Sequence, residues 1–294
     1  MTSNLEVTFP PNPNPSKPRL VAPPGSWDTH FHVYGPPNLF PYAETRRYTP
    51  PAAPVEHWLK IAKAIGIERG VMVQPSVHGI DPAITLDAVA KSDGRLRGMI
   101  RANSNVTDAE VRRLHAGGVR GLRFPFAKKV RGNFDETEFH RNIARIEAVA
   151  WVVAFQIDGN MLEEHAELIG NIPLPTIIDG FGGVLPKDGL DQPAFRTLLD
   201  LLGRPNMWLK LMGADRHLRV GTKYEDIVAM SKALVERAPD RIIWGTDWPH
   251  SEIFEPNLTP DDGALLDMLL DFAPDPAVRD KILSHNPARL FGFD

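Results

Sequence analysis

Two histidines one residue apart, in Asp28-Thr29-His30-Phe31-His32, and an acid near the other end, in Trp244-Gly245-Thr246-Asp247-Trp248-Pro249-His250, are the residues best suited to chemistry. Side chains alternate along an extended strand, so His30 and His32 share a face. Two neutral imidazoles on one face can converge on a divalent metal such as zinc, with Asp247 as third ligand. They can equally stand as hydrogen-bond donors around a substrate carbonyl with no cofactor at all. Asp247 is a candidate general base: beside Trp244 and Trp248 it is expected to be partly desolvated, with its pKa raised.

These residues meet only if the first and last strands are neighbours. Short apolar runs at 27–33, 70–73, 97–100, 119–124, 152–157, 176–178, 207–211 and 241–244 predict eight strands. Amphipathic segments at 55–65, 82–91, 108–116, 136–148, 161–169, 193–202 and 224–237 predict helices between them, with 261–272 and 276–284 closing the chain. Thr107-Asp108-Ala109-Glu110 reads as a capping box, and Gly66, Gly117-Gly118 and Gly203 read as helix stops. Eight alternating units predict an α/β protein of (β/α)8 TIM-type barrel architecture, one domain over 27–294. No glycine-rich dinucleotide fingerprint follows the first strand, which disfavours a doubly wound sheet. Residues 1–26, with Pro10-Pro11-Asn12-Pro13-Asn14-Pro15, predict an N-terminal arm without regular ladders, lying on the surface or disordered. The proline-rich stretch 34–54 predicts a long first βα loop.

In such a barrel chemistry sits at the C-terminal ends of the strands. That rule selects Ser76 and His78 after strand two, Arg123 and then Lys129 after strand four, and Gln156 on strand five. It selects Arg216 after strand seven, His250 after strand eight, and Tyr48 in the long first loop. Arg forks bind carboxylates bidentately and Lys binds as a point charge, so Arg123, Lys129 and Arg216 at one mouth predict an anionic substrate. Tyr48 and Ser76 would add hydroxyl donors.

The chain has 294 residues, 43% hydrophobic, with a formal net charge of -4. That balance offers no basic excess for nucleic acid or an anionic membrane surface. With no cysteine, disulfides and thiolate metal sites are excluded. No apolar run reaches the ~18 residues of a membrane span, and no basic-then-apolar leader is visible, so the expected location is cytoplasmic. Homo-oligomer formation is left open.

The motifs resemble the amidohydrolase superfamily and, within it, the 2-pyrone-4,6-dicarboxylate hydrolase group, which also holds sugar-lactone hydrolases and a galactarolactone isomerase. The resemblance runs from Pro23 onward. It rests on Asp28-Thr29-His30-Phe31-His32-Val33, Val73-Gln74-Pro75-Ser76-Val77-His78-Gly79, Gly118-Val119-Arg120-Gly121-Leu122-Arg123-Phe124, the Ile243 to His250 run, and Asn286-Pro287-Ala288-Arg289-Leu290-Phe291. It implies metal-independent hydrolysis of a small anionic (di)carboxylate lactone, with Asp247 activating water and His30 and His32 polarising the lactone carbonyl. Arg123, Lys129, Arg216, Tyr48 and Ser76 would hold substrate carboxylates. Three departures stand out: Lys129 where the pyrone hydrolases have Arg, Gln156 where they have Tyr, and Asp179-Gly180 where relatives read Asp-His. Gln156 looks more like the isomerase. The missing imidazole opens space at Gly180, which His78 or His250 would have to compensate. Lactone isomerisation, metal-dependent hydrolysis or decarboxylation, and an impaired site are the alternatives.

Overall fold

The computed structural model describes residues 5–103, 106–127 and 135–292. Lys129 lies outside them. Eight parallel strands form one sheet in sequence order: β1 (Trp27–Phe31), β2 (Arg69–Val73), β3 (Leu96–Arg101), β4 (Val119–Pro125), β5 (Val152–Gln156), β6 (Thr176–Asp179), β7 (Met207–Leu211) and β8 (Ile242–Trp244). The eighth strand comes back to the first. The Asp247 N–H donates to the His30 carbonyl at 2.8 Å, the His32 N–H to the Trp248 carbonyl at 2.7 Å, and the Thr29 hydroxyl to the Trp244 carbonyl at 2.7 Å. This is the (β/α)8 barrel.

Helices α1 (Val55–Ile65), α2 (Ala83–Ala90), α3 (Asp108–Ala116), α4 (Glu136–Glu147), α5 (Gly159–Gly170) and α6 (Pro193–Leu202) follow strands one to six. They form where expected because apolar residues recur at helical spacing, as with Trp58, Ile61, Ala62 and Ile65 on the buried face of α1. The Thr107 hydroxyl caps α3 by accepting from the Glu110 N–H. Strand seven is followed by two helices, a short α7 (Ala214–Arg219) and then α8 (Tyr224–Arg237). The short helix was not expected, and it carries Arg216. The predicted 261–272 helix divides into α9 (Asp262–Asp267) and α10 (Leu269–Phe272).

Along β7, Met207, Leu209 and Leu211 face the helices, while Trp208 faces the barrel axis. The axis is filled by Trp27, Val71, Val73, Met99, Val152, Ala154, Ile177, Trp208 and Ile243, with Phe291 stacked under Trp27. Above this apolar layer the inner face turns polar. That boundary is where the site begins.

The arm is irregular but fastened. Thr8 donates to the Thr49 carbonyl, Thr49 to the Glu6 carbonyl and Phe9 to the Ile253 carbonyl. Ser16 bonds Asp261 through both its N–H and its hydroxyl. Among the described residues no helix is long and apolar enough to cross a membrane.

Candidate active site

Strict alternation from Trp27, which faces the axis, would turn His30 and His32 outward. A register shift between Asp28 and Phe31 inserts one residue, so both imidazoles point inward while Phe31 stacks on Trp58 of α1. Bulges re-aim side chains in this way. Strand β1 ends at Phe31, so His32 sits just past it rather than inside a strand running to Val33.

Asp28 clasps the two ends of the chain together. Its carboxylate accepts from the His30 N–H, the Thr246 N–H, the Thr246 hydroxyl and the Trp58 indole N–H. Burial pushes its pKa up to about 6 despite those four donors. Gly245 passes so close to β1 that a Cβ there would stand 2.7 Å from the His30 backbone nitrogen. Asp247, two residues on, takes a positive φ of 64°. Its Oδ1 lies 3.4 Å from His32 Nε2 and 3.7 Å from His30 Nε2. The expected meeting of the two histidines with the acid is therefore realised.

The pKa of Asp247 runs opposite to expectation. Burial does push the carboxyl up, but the Arg216 guanidinium, reaching back from α7 through Nε and Nη2 to Oδ2, outweighs it. Asp247 is held well below the usual carboxylate range. The two tryptophans beside it in sequence could not show that a cation thirty-one residues upstream lies across the carboxylate.

Under this trio lies a buried charge cluster that the sequence reading missed. Lys210, on the inner face of β7, is fully buried and donates to Asp179 Oδ1 at 2.9 Å. Arg123 Nε donates to Asp179 Oδ2 at 2.8 Å. Burial raises Asp179, and Lys210 with Arg123 overrides that, leaving its carboxyl well below the normal value. Lys210 also stands 3.1 Å from His30 Nδ1. Burial, then the Lys210 charge, lower His30 to about 3, so it is neutral. A signal was available: in Met207-Trp208-Leu209-Lys210-Leu211 a lysine shares the axial face with Trp208 and cannot reach water, so it needs a buried partner.

A cleft of about 290 Å³ opens over these groups. His32, Asp247, Arg123 and Arg216 line it, as do Tyr48, Ser76 and Gln156. Gly180 lines it too, at φ 52°; a Cβ there would meet only ordinary contacts with Met212, yet side chains rarely adopt that backbone. His30 lies beneath the lining, with no exposed surface. His78 and His250 are not in the lining. His78 accepts from the Gly35 N–H and lies 3.2 Å from the Pro41 carbonyl, which fixes it against the first loop. His250 Nε2 is 3.0 Å from Asp262 Oδ1, and both are buried. Each ring is committed to its own partner, so neither stands in for an imidazole at 180. Arg47, another residue not foreseen, lines the mouth and pairs with Glu252.

The geometry therefore places an acid, imidazoles and guanidinium groups at one barrel mouth. A family model described as amidohydrolase matches residues 27–293. The chain belongs to the amidohydrolase family. Among curated relatives of this amidohydrolase, the 4-sulfomuconolactone hydrolase of Hydrogenophaga intermedia is 46% identical over 275 residues, 93% of this chain and 91% of that one. The 2-pyrone-4,6-dicarboxylate hydrolase of Comamonas testosteroni is 35% identical over 290 residues, 95% and 93% of the two chains. An apo crystal structure from Agrobacterium tumefaciens superimposes with a TM-score of 0.83 at 30% identity, covering 94% of this chain and 99% of the other. The family expected from the motifs is thus established.

Proposed function

We infer that this enzyme hydrolyses a small anionic lactone by water attack, with Asp247 as general base and without a metal. The observation that carries this reading is the placement of Asp247: a buried carboxylate facing two imidazoles at the floor of a cleft whose wall holds Arg123 and Arg216. The names of the curated relatives, a sulfomuconolactone hydrolase and a pyrone-dicarboxylate hydrolase, support a lactone carrying acidic groups.

In the step, the water oxygen bonds to the acyl carbon while its proton passes to Asp247. The acyl–oxygen bond of the ring breaks, the proton goes to the departing ring oxygen, and an open-chain acid with a new hydroxyl results. Arg123 and Arg216 place positive charge where the carbonyl oxygen becomes an oxyanion. A guanidinium has five donors, more than the bonds to one carboxylate oxygen use, so both can also hold a substrate anion. Lys129, the third expected cation, would join them from the segment after β4.

A metal does not suit the donor set. His30, His32 and Asp247 offer ligand atoms within 4.8 Å of one another. Yet the Lys210 ammonium lies 3.1 Å behind one imidazole and the Arg216 guanidinium is bonded to the carboxylate. Two cations already compensate the groups a divalent ion would need.

The test is a panel of carboxylated and sulfonated lactones followed by acid release, with and without chelator. Turnover is expected to persist after chelation, and Asp247→Asn is expected to lower kcat about 10²–10⁴-fold while retaining binding. Isomerisation would change the product without releasing acid and would replace this reading. Loss of turnover on chelation, restored by a divalent metal, would remove its metal-free part.

A further inference from the structure

We propose that the two histidines are held in opposite tautomers, His30 with its hydrogen on Nε2, set by Lys210, and His32 with its hydrogen on Nδ1, set by the Val73 carbonyl. This makes Lys210 a positioning residue. The proposal deepens the hydrolytic reading and rests on it for the functional consequence, though not for the tautomers themselves.

Each neighbour limits which ring nitrogen can carry the hydrogen. An ammonium has three donors and no lone pair. Lys210 gives one to Asp179 Oδ1 at 2.9 Å and faces His30 Nδ1 at 3.1 Å. Nδ1 must then accept. Asp179 Oδ1 lies 3.7 Å from the same nitrogen, too far to draw a proton onto it. A neutral imidazole that accepts at Nδ1 carries its hydrogen on Nε2. That Nε2 is buried, has no hydrogen-bond partner among the described residues, and points towards Asp247 Oδ1 at 3.7 Å.

His32 has the reverse setting. Its Nδ1 is 2.7 Å from the Val73 carbonyl oxygen, which can only accept. The hydrogen sits on Nδ1, so the singly protonated ring presents a lone pair at Nε2, 3.4 Å from Asp247 Oδ1. The rings stand edge to face, 5.0 Å between centroids. Only His32 lines the cleft.

The roles then divide. His32 Nε2 and Asp247 form a pair of acceptors for the two protons of the attacking water, which orients its lone pair at the acyl carbon. His30 turns its Nε2–H towards the Asp247 carboxylate from beneath, at 3.7 Å, so that its dipole rather than a hydrogen bond favours the carboxylate's orientation. Lys210 acts through His30 and touches neither water nor lactone. The equal carbonyl-polarising roles expected for the two imidazoles give way to one acceptor in the cleft and one buried ring behind the base.

The experiment is a long-range proton–nitrogen correlation spectrum of the full chain labelled with ¹⁵N-histidine. His30→Gln and His32→Gln variants assign the signals. The expected result is His30 protonated at Nε2 and His32 at Nδ1. In Lys210→Met, His30 is expected to lose its single tautomer while His32 keeps its own. There kcat should fall of the order of tenfold to hundredfold with KM little changed, because the base is misdirected rather than removed. His30 protonated at Nδ1, both rings in one tautomer, or His32 doubly protonated at the working pH would overturn the assignment. So would a Lys210→Met enzyme with an unaltered His30 signal. Should that variant fail to fold, the wild-type spectrum alone decides. An inactive wild type with the expected tautomers would count against the lactone reading and leave this one standing.

Discussion

At the residue scale, the proposed hydrolysis turns on the pair formed by Asp247 and Arg216. A base whose pKa is depressed stays ionised far into acid but pulls weakly on a proton. With Asp247 as the proposed base, Arg216 would set both the working pH range and the strength of that base. Replacing Arg216 with Met removes the cation and leaves burial unopposed, so the carboxyl should rise. The acid limb of the kcat/KM profile is then expected to move to higher pH, read from a pH–rate series. The stability sign agrees: a carboxylate with a depressed folded pKa stabilises the fold above its unfolded value of about 3.9 and loses that contribution as pH falls through the folded pKa. The variant is expected to lose stability at neutral pH relative to the wild type, as measured by urea unfolding. An unmoved acid limb would mean that Arg216 does not govern Asp247.

At the element scale, the seam between β1 and β8 matters most. Three features build it: the bulge that turns His30 and His32 inward, the Asp28 carboxylate that ties Thr246 to β1, and Gly245, which lets the two backbones nearly touch. The glycine is required by close approach, since a methyl group would press on the His30 backbone. Gly245→Ala is expected to cost about 1–3 kcal/mol in stability. It should also lower kcat by shifting Asp247 relative to His32, since both ride on the same pair of chain segments. Denaturant unfolding and steady-state kinetics together check this. A stable variant with full activity would show that the seam has slack that these distances do not suggest.

At the scale of the whole molecule, the arm links loops that are far apart in sequence. It bonds Thr49, next to Tyr48 of the cleft wall, and Ile253, next to Glu252 of the mouth, and it anchors on Asp261 at the start of α9. Its Val7 and Phe9 are exposed, so the effect of residues 5–18 on the barrel core should be small. Removing residues 1–18 is expected to raise KM several-fold and leave kcat largely intact, because the mouth loosens while the floor does not. Thermal unfolding of the truncated chain should shift by only a few degrees. A lost kcat would instead place the arm in support of the catalytic floor.

The sequence by itself determined the architecture and which residues stand at the strand ends. Apolar phase along each segment fixes which face turns to the core, so eight strands, their helices and the residues at the strand ends were legible, including His30, His32, Asp247, Arg123 and Arg216. The capping box at Thr107 and the need for a β1–β8 seam were legible for the same local reason. Only the tertiary structure decided how the charges pair. Lys210 with Asp179 and His30, Arg216 with Asp247, and Asp262 with His250 are contacts across the barrel or across loops. Spacing along one segment does not encode them. Pairing decides pKa direction, tautomer and access to the cleft, because electrostatic coupling depends on distance through space in a poorly screened interior. A chain read one segment at a time shows which groups are present, and the folded barrel shows which group neutralises which.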